Sequence, residues 1–285
     1  MTGSYSQTLV LFSLLVAILA SFTALDMAGR LATSEGRVAR WWLAGGALAM
    51  GLGIWSMHFI AMLAFELPIP IGYDLDITLY SLAVSVGASA YALWLVSRPA
   101  LPTSRLLAGA VLMGLGIATM HYLGMAAMRM QPGIVYDPFW FIASIVVAIS
   151  ACAAALWIAF RLRSEGARTL PLRAIASVVM GLAIVGMHYT GMAAANFQED
   201  SICGAVADGG IESRWLAILV IVTTMGTLAI ALMASLFDRQ MRARTGVLAA
   251  SLERANLKLV EAALHDPLTQ LPNRMLLQDR IEQAI

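Results

Sequence analysis

Charged residues are scarce in this sequence of 285 residues. Asp, Glu, Lys and Arg together make up 12% of the chain, whereas hydrophobic residues make up 60%. A soluble domain averages about 25% charged and about 45–50% apolar residues. The composition therefore excludes an ordinary soluble domain and predicts a membrane protein. The net charge of +1 gives no basis for expecting a nucleic acid as a partner.

The sequence also contains few cysteines and few basic residues near the first apolar run. The two cysteines, Cys152 and Cys203, form neither a CxxC motif nor a zinc-finger spacing, so nothing predicts a disulfide framework or a thiolate site. No Lys or Arg precedes Arg30. The first apolar run thus lacks the basic segment that begins a secretory signal peptide, and we expect it to remain as a membrane span.

Long apolar runs dominate the rest of the chain. A transmembrane helix needs about 20 mostly apolar residues, and seven runs meet that requirement. They cover residues 8–28, 42–66, 77–97, 105–128, 139–160, 173–196 and 214–237. The predicted fold is an all-α integral membrane bundle of seven helices, in which residues 1–237 form one domain surrounded by membrane lipid.

The charges between the spans predict their orientation. Four connecting stretches are rich in arginine, at Arg30–Arg40, Arg98–Arg105, Arg161–Arg173 and Arg239–Arg244. The three intervening loops carry most of the remaining acidic residues near the spans. Because arginine-rich loops face the cytoplasm, the N-terminus is predicted to be extracytoplasmic and the C-terminus cytoplasmic.

An internal repeat organises these spans. Residues 41–98 align without a gap on residues 104–161, and a third copy begins at residue 173. The unit is predicted to be a helix hairpin that is used about three times, behind one additional N-terminal span. Because each unit runs from the inside to the outside and back, the first helices of the three units are expected to be parallel.

Three histidines occupy equivalent positions in these parallel helices. His58, His121 and His188 each lie well towards the outer end of their span, so all three are expected at one level near the extracytoplasmic face. Ionisable groups at that depth face the bundle interior or a cavity. Each histidine has a methionine four residues later on the same helix face and another immediately before it. The predicted metal ligands are His58, His121, His188, Met62, Met125 and Met192, with Met57, Met120 and Met187 as secondary candidates.

Ligand chemistry favours copper in such a pocket. Imidazole suits copper, zinc, iron and nickel, whereas thioether sulfur selects Cu(I). No acidic residue lies in the middle of a histidine-bearing span, which argues against Mg, Ca or Mn. Zinc bound by three histidines remains open, as does iron, including haem. A metal-free interpretation also remains open, in which the histidines bond to neighbours and the methionines fill the core.

Three functions are compatible with a metal pocket of this kind. The leading hypothesis is a sensor, in which a ligand arriving at the metal shifts the helix bundle. An intramembrane zinc hydrolase would need a carboxylate base beside the histidines, and Asp26 lies far away near the inner end of the first span. A metal-cation transporter would need ligands at successive depths, whereas these histidines occupy one layer.

The residues around the histidines resemble a known family. Met187-His188-Tyr189-Thr190 is similar to the signature of MHYT domains, and relaxed copies stand at Met57-His58-Phe59 and Met120-His121-Tyr122. The resemblance covers residues 1–237. It implies a sensor of the bacterial inner membrane that binds copper and perceives a diatomic gas such as O₂, CO or NO. Carried over, its ligands would be the three histidines and the methionines of the motifs.

The composition changes after the last span. Apolar residues over 241–262 follow the four–three spacing of a coiled-coil seam. This spacing predicts a cytoplasmic linker helix over residues 238–264 and a homodimer that forms through residues 241–262.

The final segment resembles the start of an enzyme domain. The run from His265-Asp266 to Asn273-Arg274 is similar to the opening of GGDEF domains, which make cyclic di-GMP. Residues 265–285 are therefore interpreted as the truncated start of such a domain. The order resembles proteins in which an MHYT sensor precedes GGDEF and EAL domains. This chain itself is not expected to be an enzyme, whereas the parent protein is expected to make or degrade cyclic di-GMP.

Overall fold

The computed structural model describes residues 3–163, 169–207, 209–266, 271 and 273–284. Seven helices in these ranges are long and apolar enough to cross a membrane. The helices in chain order are α1 (Gln7–Ala32), α2 (Gly36–Ala64), α3 (Leu75–Val96), α4 (Thr103–Ala126), α5 (Pro138–Leu162), α6 (Thr169–Ala194), α7 (Gly204–Ala207), α8 (Ser213–Leu264) and α9 (Arg274–Ala284). All except α7 and α9 are candidate spans, so the prediction of a seven-span α-helical membrane protein is confirmed.

Some residues used in the sequence predictions lie outside the described ranges. They are Arg168 of an arginine-rich loop, Asp208 of an acidic loop, and residues 267–270, 272 and 285 of the predicted GGDEF opening. The chain divides into two compact units, Met1–Leu232 and Met233–Ile285. The division falls within α8, five residues before the predicted domain boundary at residue 237.

The first six helices form a closed ring. Each helix packs against its neighbours in sequence, and α1 closes the ring by packing against both α2 and α6. Gly181 of α6 faces Ile18 of α1, where an added Cβ would lie 3.0 Å from the backbone nitrogen of Ile18. The N-terminal span is therefore an integral part of the ring, and it occupies the place beside α6 that the second helix of a third hairpin would take.

The two complete hairpins, α2 with α3 and α4 with α5, show the same close approach between their helices as α1 and α6. A Cβ at Gly51 would lie 2.6 Å from the Cα of Val86, and one at Gly114 would lie 2.7 Å from the Cα of Ile149. Small residues let membrane helices pack backbone against backbone. These glycines therefore serve close helix packing, which explains why the three units share one geometry.

The first part of α8 packs beside α2. Leu216 and Val220 are fully buried, and the hydroxyl of Thr224 donates a hydrogen bond to the hydroxyl of Ser56. Hydrogen bonds between hydroxyls satisfy polar groups inside a membrane bundle. This contact holds the seventh span to the helix that carries the first histidine.

Short strands tie the helices together where α2, α4 and α6 end, here called the histidine end. The described residues form four antiparallel pairs, namely β1 (Ser4–Tyr5) with β2 (Phe65–Glu66), β3 (Gly72–Tyr73) with β8 (Ile211–Glu212), β4 (Met130–Gln131) with β7 (Ile202–Cys203), and β5 (Val135–Tyr136) with β6 (Ala195–Asn196). Asp74 and Asp137 begin α3 and α5, and their carboxylates accept hydrogen bonds from the amides of Ile77 and Phe139. The strands, which are only two residues long, have no detectable sequence pattern and were not predicted.

Two arginines cap helix ends at the opposite side of the bundle, here called the arginine end. The guanidinium of Arg163 donates to the carbonyls of Val96 and Arg98 at 2.6 Å each. Arg173 donates to the carbonyl of Leu162 at 2.9 and 3.1 Å. The last carbonyls of a helix lack partners within the helix, so these arginines satisfy the ends of α3 and α5.

A buried group of three charges lies at the arginine end. The carboxylate of Asp26 accepts a hydrogen bond of 2.9 Å from Arg30 and lies 3.6 Å from the guanidinium of Arg173. All three residues are at most 6% exposed. Since a charge buried in a membrane must be compensated, this carboxylate links α1 to α6.

In the second unit, the seam residues of α8 lie on the surface. Leu248, Leu252 and Leu259 are 68–70% exposed. Asn273 begins α9, because its side-chain oxygen accepts hydrogen bonds from the amides of Met275 and Leu276. Within the described part of the GGDEF-like segment, α9 is thus a capped helix.

Candidate metal centre

Three parallel helices bring their histidines to one point inside the ring. His58 of α2, His121 of α4 and His188 of α6 are each 1% exposed. The Nδ1 atom of His58 lies 3.1 Å from that of His188 and 3.2 Å from that of His121. The sequence prediction that the three imidazoles share one level is therefore confirmed, and their ligand atoms all fall within 4.8 Å of one another.

Hydrogen bonds between the three imidazoles cannot satisfy all of their Nδ1 atoms. Each neutral imidazole nitrogen offers either one proton or one in-plane lone pair. The Nδ1 atom of His58 faces two other Nδ1 atoms, so as either donor or acceptor it makes one good hydrogen bond. A cation placed between the rings would accept all three lone pairs together.

The spacing fits a single metal ion. An ion that binds imidazole nitrogens at about 2.0–2.1 Å in tetrahedral geometry holds them about 3.3 Å apart. The two measured separations of 3.1 and 3.2 Å are close to that value. Three such ligands would leave a fourth position for a thioether or an external ligand.

Glycines of the adjacent helices hold the outer edges of two rings. A Cβ at Gly124 would lie 2.1 Å from Nε2 of His58, and a Cβ at Gly191 would lie 2.4 Å from Nε2 of His121. Among the described residues, the Nε2 atoms of all three histidines are buried without a hydrogen-bond partner. The glycine backbones therefore fix the rings of His58 and His121 by contact and turn their Nδ1 atoms towards the centre.

The residue after each histidine forms an aromatic wall. Phe59, Tyr122 and Tyr189 pack edge-on against the imidazole of the preceding histidine, with ring centroids 4.8–5.0 Å apart. The Tyr122 hydroxyl points to Ser144 at 2.7 Å. These rings restrict the imidazole orientations and do not add an evident ligand.

The comparison with protein families agrees with this threefold architecture. The family MHYT, described as "Bacterial signalling protein N terminal repeat", matches residues 51–109, 114–171 and 181–246. The chain belongs to the MHYT family. Each matched stretch contains one of the three central histidines, so the MHYT repeat is the unit that delivers one imidazole to the centre.

Curated relatives place MHYT sequences in cyclic di-GMP signalling proteins. The chain is 64% identical over 283 residues to the bifunctional diguanylate cyclase/cyclic di-GMP phosphodiesterase MucR of Pseudomonas aeruginosa, which covers 99% of this chain and 41% of that protein. It is 38% identical over 279 residues to the cyclic di-GMP phosphodiesterase NbdA of the same organism, which covers 95% of this chain and 35% of that protein. The signaling protein YkoW of Bacillus subtilis is 40% identical over 199 residues, which cover 69% of this chain and 25% of that protein. The chain thus spans well under half the length of these relatives. No solved structure matches it.

The methionines of the MHYT motifs are all buried around the histidine level. They comprise Met62, Met125 and Met192 beyond the histidines, and Met57, Met120 and Met187 immediately before them. Met192 also borders an open recess at the histidine end, whereas Met187 borders a cavity on the other side of the histidines. Their roles as ligands remain predictions.

Tyr189 and Thr190, the last two residues of the MHYT motif, make local packing and hydrogen-bond contacts. The hydroxyl of Thr190 donates to the carbonyl of Gly186 in its own helix at 2.7 Å. Tyr189 packs against Tyr5 of β1, with ring centroids 5.5 Å apart. Burial, and to a smaller extent the neighbouring Tyr189, raises the pKa of the Tyr5 phenol to about 12. Tyr5 therefore remains a neutral phenol at neutral pH and adds no negative charge near the site.

Sequence reasoning found the histidines but missed the glycines that hold them. Gly124 and Gly191 stand three residues after His121 and His188, and Ala61 stands at the same place after His58. This recurrence of a small residue three positions after each histidine is visible in the sequence. Its meaning becomes clear only when the structure shows that each glycine contacts the histidine of an adjacent repeat.

Proposed function

We propose that this MHYT domain is a membrane sensor that binds one metal ion, copper, between His58, His121 and His188. The observation that carries this proposal is the convergence of three buried Nδ1 atoms at 3.1–3.2 Å around His58. Polar groups buried inside a membrane are costly unless they serve a site or a network. A bound ion would give all three lone pairs a partner.

The donor set favours copper over the alternatives. The motif methionines supply thioether sulfur one turn from each histidine, and thioethers select Cu(I). A haem would need its axial ligands on opposite faces of a wide ring, whereas these nitrogens face one common point. For a zinc hydrolase, a carboxylate base is missing from the cluster formed by the described residues, and Asp26 is bound to Arg30.

We further propose that a diatomic gas reaches the metal from the histidine end, which faces the extracytoplasmic side. An open recess of about 660 Å³ lies there, lined by residues that include Phe65, Met192 and Glu199. Met192 borders this recess and belongs to the proposed ligand set. On this proposal, Met192 is the side chain through which a small molecule in the recess would reach the metal.

Binding of carbon monoxide tests the sensory proposal. After anaerobic loading with Cu(I), we expect the purified chain to show an infrared band of bound CO. The band should be absent from the His58→Ala, His121→Ala, His188→Ala triple variant, because the ligand set is gone. A copper-loaded chain that shows no CO-dependent band would contradict gas sensing at this site.

The proposed output is a cyclic di-GMP domain. MucR and NbdA are named for making or degrading this nucleotide, and the segment from Asp266 to Arg274 resembles a GGDEF opening. A ligand shifts a sensor only if two states of the bundle bind it with different affinity. Thr224 of α8 contacts Ser56 of α2. Movement of the first histidine helix would therefore act on the start of α8.

We also propose that the chain forms a homodimer through residues 241–262. Leu248, Leu252 and Leu259 recur at coiled-coil spacing and are highly exposed in the single chain. An exposed apolar stripe at this spacing is typical of a helix that pairs with a copy of itself.

Charge substitution in the seam tests the dimer. We expect Leu252→Glu combined with Leu259→Glu to raise the dimer dissociation constant at least about tenfold, because each charge would enter an apolar seam. Light scattering of the detergent-solubilised chain measures this change. Leu257→Glu is the matched control, since Leu257 is 64% exposed and lies off the seam. Equal dimerisation of all three proteins would refute the seam.

A further inference from the structure

A buried serine stands at the same place in the second helix of each complete hairpin. Ser81 of α3 and Ser144 of α5 occupy equivalent positions of the repeat and are fully buried. Each hydroxyl donates a hydrogen bond to the carbonyl three residues earlier, to Thr78 at 2.7 Å and to Phe141 at 2.8 Å. Because a hydroxyl has only one proton, each serine oxygen is left as an acceptor for a group on another helix.

In the second repeat, this acceptor binds the aromatic wall of the histidine centre. The hydroxyl of Tyr122 lies 2.7 Å from that of Ser144. Since the proton of Ser144 is used by the carbonyl of Phe141, Tyr122 is the donor of this bond. The ring of Tyr122 packs edge-on against the imidazole of His121, with centroids 4.8 Å apart. Ser144 therefore fixes the ring that contacts this imidazole.

In the first repeat, a different residue donates to the equivalent serine. The wall residue is Phe59, which has no hydroxyl. The indole nitrogen of Trp55, one turn earlier in α2, donates to Ser81 at 2.9 Å. The ring of Trp55 packs against Phe59 with centroids 4.7 Å apart, and Phe59 packs edge-on against His58. Ser81 is thus connected to the imidazole through two packed rings.

The change of donor indicates that the bond to the serine matters. The position equivalent to Trp55 is Ala118 in the second repeat, where Tyr122 reaches its serine directly. An indole N–H can only donate, so it suits a serine whose own proton is already used. Each of the two repeats therefore joins its aromatic wall to the neighbouring helix by one hydrogen bond, although the donor residues differ.

The third repeat offers the same acceptor without the same bond. Ser13 of α1 is fully buried and stands five residues before the residue that packs against the glycine of the adjacent helix, as Ser81 and Ser144 do. Tyr189 lies near Ser13, but among the described residues its hydroxyl makes no hydrogen bond. The wall beside His188 is therefore held less firmly than the other two.

We propose that Ser81 and Ser144 are positioning residues of the histidine centre, which set the orientation of His58 and His121 through the aromatic rings between them. The proposal rests on the proposed metal site, whereas the positioning itself is a property of the metal-free chain. Glycine contacts already restrain the Nε2 edges of both imidazoles. The anchored aromatic ring is a second restraint on each of them, and two restraints fix a planar ring better than one.

Removal of the serine hydroxyls tests this role. Ser81→Ala and Ser144→Ala are each expected to lower the affinity for Cu(I) about tenfold, since residues that orient metal ligands typically have effects of this size or larger. Competitive titration against a Cu(I) chelator measures the change. Ser85→Ala is the matched control, because Ser85 is also fully buried in α3 and donates to the carbonyl of Gly51 at 2.9 Å. If Ser81→Ala and Ser85→Ala both bind copper like the wild type, the proposal is wrong.

A double-mutant cycle shows whether Ser144 acts through Tyr122. Tyr122→Phe removes the donor and keeps the ring, so it should lower the affinity about as much as Ser144→Ala. Adding Ser144→Ala to Tyr122→Phe should then cause no further loss, because the two residues share one interaction. Independent losses that multiply in the double variant would contradict positioning through this bond. Tyr122→Phe also provides the test if Ser144→Ala does not fold.

Nuclear magnetic resonance of the metal-free chain separates this proposal from the proposed copper site. With ¹⁵N-labelled histidine, the signal of His121 is identified by its loss in His121→Ala. Ser144→Ala should shift or broaden this signal, because the imidazole is less restrained, whereas Ser85→Ala should leave it unchanged. An unaltered His121 signal in Ser144→Ala would overturn the positioning role. A wild type that binds no copper, but whose His121 signal responds to Ser144→Ala, would support the positioning role and refute only the copper site.

Discussion

Replacement of Gly191 by alanine is expected to lower the affinity of the histidine centre for copper about 10–100-fold, the range typical for residues that orient metal ligands. A Cβ at this position would lie 2.4 Å from Nε2 of His121, so the imidazole would have to turn away from the centre. Competitive titration of the purified chain against a Cu(I) chelator measures the change. Gly124→Ala should act in the same way through His58.

Gly186→Ala is the control for this prediction. Gly186 lies in the same helix, and an added Cβ there would contact nothing within 4 Å. Alanine favours the helix over glycine by about 1 kcal/mol, so a loss of affinity in Gly191→Ala cannot be attributed to weakening of α6. If Gly191→Ala and Gly186→Ala bind copper equally well, the glycine contact does not position the ring.

Removal of the buried carboxylate at the arginine end is expected to have the largest effect on stability. Asp26→Ala should lower the free energy of unfolding by about 3–5 kcal/mol, because two guanidinium groups would lose the carboxylate buried between them. Thermal or denaturant unfolding in detergent, followed by circular dichroism, measures this loss. Since Asp26 bonds to Arg30 and lies 3.6 Å from Arg173, the contact between α1 and α6 should loosen first.

A similar ion pair on the surface serves as the control. Asp238 and Arg242 are also four residues apart, with a nitrogen–oxygen distance of 3.0 Å, but their side chains are 26% and 39% exposed. Solvent-exposed pairs of this kind contribute at most about 0.5 kcal/mol in helices. Asp238→Ala should therefore unfold nearly like the wild type. Comparable losses of unfolding free energy in Asp26→Ala and Asp238→Ala would show that burial does not account for the contribution of Asp26 to stability.

The histidine centre could be predicted because the repeat is visible in the sequence. Three Met-His pairs at equivalent positions of parallel helices must reach the same depth, whatever the details of packing. The separations between the nitrogens could not be predicted, because they depend on how closely the helices approach. Gly51 and Gly114 set that approach through contacts with residues more than thirty positions away.

The closure of the ring by α1 was beyond sequence reasoning. α1 carries no Met-His motif and looks like an additional span in front of the repeats. Its role follows from Ile18, which packs against Gly181 of the neighbouring helix α6, and from Asp26, which reaches Arg173. Such pairings join the two ends of the bundle and leave no periodic pattern. The arginines of the loops were interpreted only as a charge pattern that sets orientation, whereas the structure shows that Arg163 and Arg173 also cap helix ends.

Elemental analysis of bound metal tests the central claim most directly. The chain and its His58→Ala, His121→Ala, His188→Ala variant are purified in mild detergent, reconstituted with Cu(I) and compared for copper per chain. We predict that the variant binds about one copper ion fewer than the wild type, because only the histidine centre is lost. Equal copper in the two proteins, or no copper in the wild type after reconstitution, would contradict a metal centre at these histidines.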